Sequence, residues 1–240
     1  MPLKVDGINI IFGGSSLEAA PLSLAAKRGH SAIVELLLDA DSVDPNVEDQ
    51  HSTTPLCWAS TMGHVSIVRR LLARDDRNFN AIGHSPRTAS ITPLAAAYNK
   101  GHVEIINLFL TEDNIDVNFH GTIDGDTPLM MATKGGFTEV VESLLAREDL
   151  DPNIVNDHGY LVLGTAASLG HVNIVKLLLD HSNIDPNFVA RGGRTALMQA
   201  SKPNVVKLLL DRGGIEVNIR DNLGRTALCA EITISRIRCL

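Results

Sequence analysis

Nine histidines, three cysteines and one acidic turn are the residues of this chain whose chemistry could exceed packing. Imidazoles bind zinc or move protons, so their spacing decides whether such a site exists. Four of them, His30, His64, His102 and His171, follow a glycine and stand far apart along the chain, too far to share a metal ion. They read as structural residues of a helix turn. His51, His84, His120 and His158 fall in one kind of loop and His181 in another. A shared site would need neighbouring loops to converge, which spacing alone does not require. Asp124-Gly125-Asp126 faintly resembles a cation loop. It lacks the alternating acidic ligands and closing Glu of a calcium site, so a turn is expected. Cys57 and Cys229 have no histidine at catalytic spacing. No P-loop, no G-x-G-x-x-G after a strand, no H-E-x-x-H and no G-x-S-x-G occurs. The expectation is a chain that is no enzyme, with no catalytic residue, no cofactor and no metal.

The segments that carry these residues repeat. Gly170 to Asn187, GHVNIVKLLLDHSNIDPN, has counterparts beginning at Gly29, Gly63, Gly101 and Gly136, and a worn copy at Val205 to Leu210. Each unit opens on a helix start. Thr54-Pro55-Leu56, Thr92-Pro93-Leu94 and Thr127-Pro128-Leu129 put Thr at the cap and Pro at the first helical position, where its missing N–H is harmless. Thr195-Ala196 and Thr226-Ala227 keep the cap alone, Ala20-Pro21 keeps the Pro alone, and Leu161-Val162 has neither. Small pairs follow (Ala25-Ala26, Ala59-Ser60, Ala132-Thr133, Ala166-Ala167, Ala200-Ser201), then a Gly stop and a second helix with Ile, Val and Leu on one face.

From opener to last Leu the distance is 17 residues in five copies, and from that Leu to the next Asn it is 8 in all six. In those five copies only the stretch from Asn to the next opener varies, and it is longest between Asn80 and Pro93, with Gly83 to Arg87 at its tip. Fixed length inside a helix pair and free length at one connection is what stacking demands, because an exposed loop tolerates insertion. The periodic Asn residues are expected to bond backbone at the base of each loop.

The pattern T-P-L, A-A, G-H, I-V-x-L-L-L, D-x-N resembles the ankyrin repeat and covers residues 13–231. The Asp-Pro-Asn ending looks like the arrays common in fungal proteins. The resemblance implies an all-α fold, an α-solenoid of about six stacked helix-turn-helix repeats with hairpin-like finger loops. Helix pairs are expected near 21–39, 55–73, 93–111, 128–146, 162–180 and 196–211. Residues 1–12 read as the remnant of a preceding repeat or an N-terminal extension, and 226–240 as a truncated seventh repeat and tail. The His that the family often carries two residues after the opening Pro is missing, Cys57, Ala95 and Met130 standing there instead. The sixth unit lacks three residues, including its Gly turn, and is expected to pack most weakly.

Composition sets the outer limits. Aromatics are 4% of the chain, so the core must be aliphatic, and the net charge of −7 comes without any block of like charges. No nucleic-acid partner is therefore expected. Three cysteines in unrelated contexts indicate a reducing compartment, and no apolar run reaches membrane-spanning length. The expected setting is intracellular, cytoplasmic or nuclear, with no membrane and no small-molecule substrate.

What the repeat leaves free is the surface. By resemblance, the variable pair before each Gly faces a concave groove: Lys27-Arg28, Thr61-Met62, Asn99-Lys100, Lys134-Gly135 and Ser168-Leu169. Four cations fall there in an acidic protein, to be read either as ordinary solvated charge or as a mildly basic groove that suits an acidic peptide. Tyr98 stands where other units have Ala, Ser or Thr, so its ring is expected to swing into the groove. Trp58 is expected in the core, facing the second helix. The expected partner-binding residues are Arg28, His51, Met62, Tyr98, Lys100, Lys134, His158, Tyr160 and Arg194, and the expected function is a protein–protein interaction module. The alternative is a regulatory segment of a larger protein whose activity lies elsewhere.

Overall fold

The computed structural model describes residues 21–229, apart from 41–42, 77, 79–82, 86–87, 113, 121 and 123, and gives backbone alone at 83–85 and 88–90. The expectations for residues 1–12, for the tail beyond 229 and for the side chain of His84 lie outside the described residues. Among these residues six helix pairs follow one another: α1 (Pro21–Arg28) with α2 (Ser31–Leu38), α3 (Pro55–Met62) with α4 (Val65–Leu72), and α5 (Pro93–Lys100) with α6 (Val103–Leu110). Then come α7 (Pro128–Gly135) with α8 (Thr138–Leu145), α9 (Val162–Leu169) with α10 (Val172–Asp180), and α11 (Ala196–Gln199) with α12 (Pro203–Asp211). Each helix is too short to persist alone in water. First helices pack on first helices and second on second along the array, which supplies what two helical turns lack.

The local signals act as expected. Thr54, Thr92, Thr127 and Thr195 accept hydrogen bonds from the backbone N–H groups of Cys57, Ala95, Met130 and Met198 at 3.2–3.4 Å. Leu161 offers no side-chain cap to α9. The second helices bury Val34, Val68, Ile106, Val141, Val175 and Val206 in one continuous core. Leu144 is fully buried, whereas Leu177 is only partly so because Leu178 takes the inward position of α10.

The long finger forms a two-stranded antiparallel ribbon, β1 (Gly83–Ser85) against β2 (Thr88–Ile91), with a register shift between Gly83 and Ser85. In the sixth unit α11 is cut to a single turn. Ala200 leaves the helix at ψ 122°, yet Ala196, Leu197, Met198, Val205, Val206 and Leu209 all remain buried. The first unit differs from the rest in another way. Ile33 of α2 is 48% exposed, while its counterparts Ile67, Ile105, Val140 and Ile174, each covered by the preceding repeat, are at most 1% exposed. Among the described residues no helix is long and apolar enough to cross a membrane.

Candidate interaction surface

Two rows of side chains are left over once the stacking contacts are made. The first row is the end of each first helix. Lys27, Arg28, Met62, Asn99, Lys100, Lys134, Ser168 and Leu169 are all exposed there, as the variable pairs were expected to be. The second row is the fingers. In three fingers the residue six before the opener closes the loop. Asp49 Oδ1 accepts the N–H groups of His51 (2.8 Å) and Thr53 (3.0 Å). Asn156 Oδ1 does the same for His158 and Tyr160, and Asp221 Oδ1 for Leu223 and Arg225. The Arg225 guanidinium on Asp221 Oδ2 holds that carboxyl below the usual carboxylate range.

Neighbouring fingers are tied by backbone bonds, Asp157 N–H to the Asp124 carbonyl, Arg191 to Gly159 and Asn222 to Gly192. His158 Nε2 lies 3.2 Å from Asp124 Oδ1 across the same gap. His51, Tyr160 and Arg194 sit on this row, with His51 half-buried and Tyr160 and Arg194 exposed. The expected site residues are thus split between two rows and form no single cluster. Among the described residues no three of His, Cys, Asp and Glu stand close enough together to hold a metal ion. His120 points Nδ1 at the Gly125 carbonyl of its own finger.

Three expectations need correction. Tyr98 does not swing outward: it is 4% exposed, in a column with Ala26, Ser60, Thr133 and Ala167, all fully buried between helices. That position faces neighbouring repeats whatever its size, so Tyr98 offers no partner a contact, and burial pushes its phenol up. Among the described residues the hydroxyls of Ser60, Tyr98 and Thr133 find no hydrogen-bond partner. Lys134 is exposed but committed, its ammonium ion-paired with buried Asp126, which also accepts from Asn156 Nδ2 at 2.9 Å.

Trp58 is the third correction, a surface position that sequence reasoning missed. It is only partly buried. Its indole N–H donates to Asp49 Oδ2 at 2.8 Å, and the Lys27 ammonium sits 3.7 Å from its ring centroid. The ring therefore lies on the finger side, between two repeats. The signal was available in the acid six residues before the opener (Asp49, with Asp221 in register), which places a carboxylate beside the fourth residue of that helix.

The periodic Asn residues do bond backbone, but in the next repeat and not in their own finger. Asn46, Asn118, Asn153 and Asn187 each donate Nδ2 to a carbonyl there, of Asp76, Asp149, Asn183 and Gly214, at 2.6–2.8 Å. Arg74 and Arg147 brace the same seam, reaching the carbonyls of Leu38 and Leu110 in the preceding repeat.

A family model described as Ankyrin repeats matches three times, over residues 8–82, 82–156 and 139–221. The human ankyrin repeat domain-containing protein 29 is 44% identical over 48 residues, which is 20% of this chain and 16% of that protein's length. The crystal structure of the ankyrin repeat domain of Bcl-3, described as a unique member of the IkappaB protein family, superposes with a TM-score of 0.76. It is 23% identical, over 92% of this chain and 99% of that one, so it shows the fold alone. An ankyrin repeat domain from Acinetobacter baumannii AYE superposes at 0.69 with 25% identity, over 80% of this chain and 97% of that one.

Proposed function

From the premise that this chain belongs to the ankyrin repeat family, whose repeats are protein–protein interaction modules, we propose that it is a non-catalytic module that binds a protein partner through its finger loops and the concave groove beside them. One observation carries the reading. The residues that define the repeat are used up in stacking, while the variable pairs at the ends of the first five first helices, Thr61 apart, are open to solvent. Sequence variation placed on an exposed face of a rigid scaffold is where binding specificity resides.

The partner is a protein segment with acidic character. Of the four groove cations, Arg28 and Lys100 have no ion-pair partner among the described residues, and Lys27 rests on a ring. The test is site-specific photo-cross-linking. A benzophenone amino acid is placed at Met62 or Leu169 on the groove, or at Glu142 on the outer face. Partner adducts are expected from the first two positions and not from the third. Adducts from Glu142 alone would reverse the assignment of faces.

A further inference from the structure

We propose that the surface around Trp58 is an anchoring site for an acidic peptide segment that carries one large apolar side chain. This rests on the module reading and fixes where on the array the partner is gripped and by what chemistry. Trp58 is held from two sides. Asp49 takes its N–H, and the same carboxylate closes the finger through His51 and Thr53, so the ring is braced by the loop it touches. Lys27, from the preceding repeat, lies over the ring face. A ring fixed before binding loses little freedom when a partner docks, which is the property of an interface anchor.

The neighbours of the ring are apolar where burial would predict polar groups. Leu24 occupies the same helical position one repeat earlier and is 37% exposed, and Met62, one turn along α3, is 44% exposed. An open Leu, a partly open Trp and an open Met on one face form a patch for an aliphatic or aromatic side chain. The border of the patch is cationic: Lys27 and Arg28 on one side and Lys100 on the other. No carboxylate among the described residues pairs with any of the three, whereas the fourth groove cation, Lys134, is neutralised by Asp126. Lys27 is parked on an aromatic ring, which orients its ammonium without cancelling its charge. The chain as a whole carries a net charge of −7, so this cationic rim is a local reversal of sign. Acidic side chains on a partner complement the rim, and an apolar one fills its centre.

Trp58 is the only tryptophan of the chain, so its emission reports on this site alone. The probe is a synthetic polyglutamate peptide with one central Leu, titrated into the full chain at low salt. A saturable change in Trp58 emission is expected. Replacing the central Leu by Ser should weaken binding about tenfold, and replacing Glu by Lys should abolish it. The variant Arg28→Gln with Lys100→Gln should bind about tenfold more weakly at an unchanged melting temperature, since both side chains are exposed. Met62→Ser gives a second reading that leaves the charges in place, and it too should weaken binding. An equal response to the Glu and Lys peptides would overturn the proposal, as would an oligothymidine that binds more tightly than the peptide. Silent Trp58 emission, together with partner cross-links confined to α7 and α9, would overturn this inference and leave the module reading standing.

Discussion

The imidazole of His102 lies against Gly63 of the preceding repeat, with its Nε2 3.2 Å from the Thr61 carbonyl. A methyl group on Gly63 would fall 2.6 Å from the ring carbon Cε1, and the residue is held at φ +80°. Gly63→Ala therefore meets two penalties, the left-handed backbone and the ring. The expected loss is about 2–4 kcal/mol, read by guanidinium denaturation. In a His102→Ala background the ring penalty disappears and the loss should shrink to about 1–2 kcal/mol. Equal losses in both backgrounds would mean that the ring yields freely. The glycine and histidine of the repeat are then one device, each His closing over the Gly before it, as His64 does over Gly29.

Asn118 clamps its own loop, which follows the third helix pair, to the loop that joins the fourth and fifth pairs. Its Nδ2 donates to the Asp149 carbonyl at 2.7 Å, and its Oδ1 accepts from the Asp151 N–H at 2.8 Å. Asn118→Ala loses both bonds at a partly exposed seam, so about 1–2 kcal/mol should go. Asn118→Asp keeps the acceptor but sets a carboxylate oxygen against the Asp149 carbonyl, and should cost at least as much at neutral pH. Hydrogen exchange at the Asp151 amide separates the two variants: faster in Ala, little changed in Asp.

Helix positions, caps and Gly turns were legible in the sequence because each rests on short-range rules: Thr54 before Pro55, Gly63 after Met62, a fixed count between them. The fates of Trp58 and Tyr98 were not. Both are large residues on first helices, two positions apart in the repeat. One position faces the fingers and the other the next helix, and that choice is made by neighbours from other repeats. Asp49 and Lys27 hold Trp58 at the surface, while the column of Ser60 and Thr133 draws Tyr98 inside. Lys134 shows the same dependence. Its place in an open pair was readable, but its pairing with Asp126, which Asn156 of the next finger also bonds, was not.

Ile33 and Ile67 are the same residue at the same point of two consecutive repeats, which makes them a matched pair. Ile67 is 1% exposed and Ile33 is 48% exposed. Ile67→Ala should cost about 2–5 kcal/mol through lost burial and a cavity. Ile33→Ala should cost less than about 1 kcal/mol. A large loss at Ile33 would show that its face is covered in solution.

Acid stability should carry the mark of Arg147. Its guanidinium forks onto both oxygens of Asp149 at 2.8 Å and holds that carboxyl below its ordinary value. A carboxyl whose folded pKa is depressed stabilises the fold above its unfolded pKa of about 3.9. That stabilisation is lost as pH falls through the lower folded value. Asp149→Asn should therefore flatten the fall in urea midpoint below about pH 4 and change little at pH 7, where a half-exposed ion pair is worth under about 1 kcal/mol. An unchanged acid limb in the variant would mean that the pair contributes nothing in solution.

Tyr98 gives the test of the buried column. Its hydroxyl is enclosed without a hydrogen-bond partner among the described residues, as are those of Ser60 and Thr133 in the adjacent repeats. An enclosed polar group with no partner costs about 1–3 kcal/mol. Tyr98→Phe removes that group and keeps the ring, so stability should hold or rise by about 1 kcal/mol. Tyr98→Ala removes the ring as well and should cost about 3–5 kcal/mol. Partner affinity per folded molecule should be the same for wild type and the Phe variant, because the hydroxyl never reaches the surface. A Phe variant that loses more than about 1 kcal/mol would show that the hydroxyl is bonded in solution. The column would then be a polar seam through the aliphatic core, with Ser60→Ala and Thr133→Val expected to lose stability in the same way.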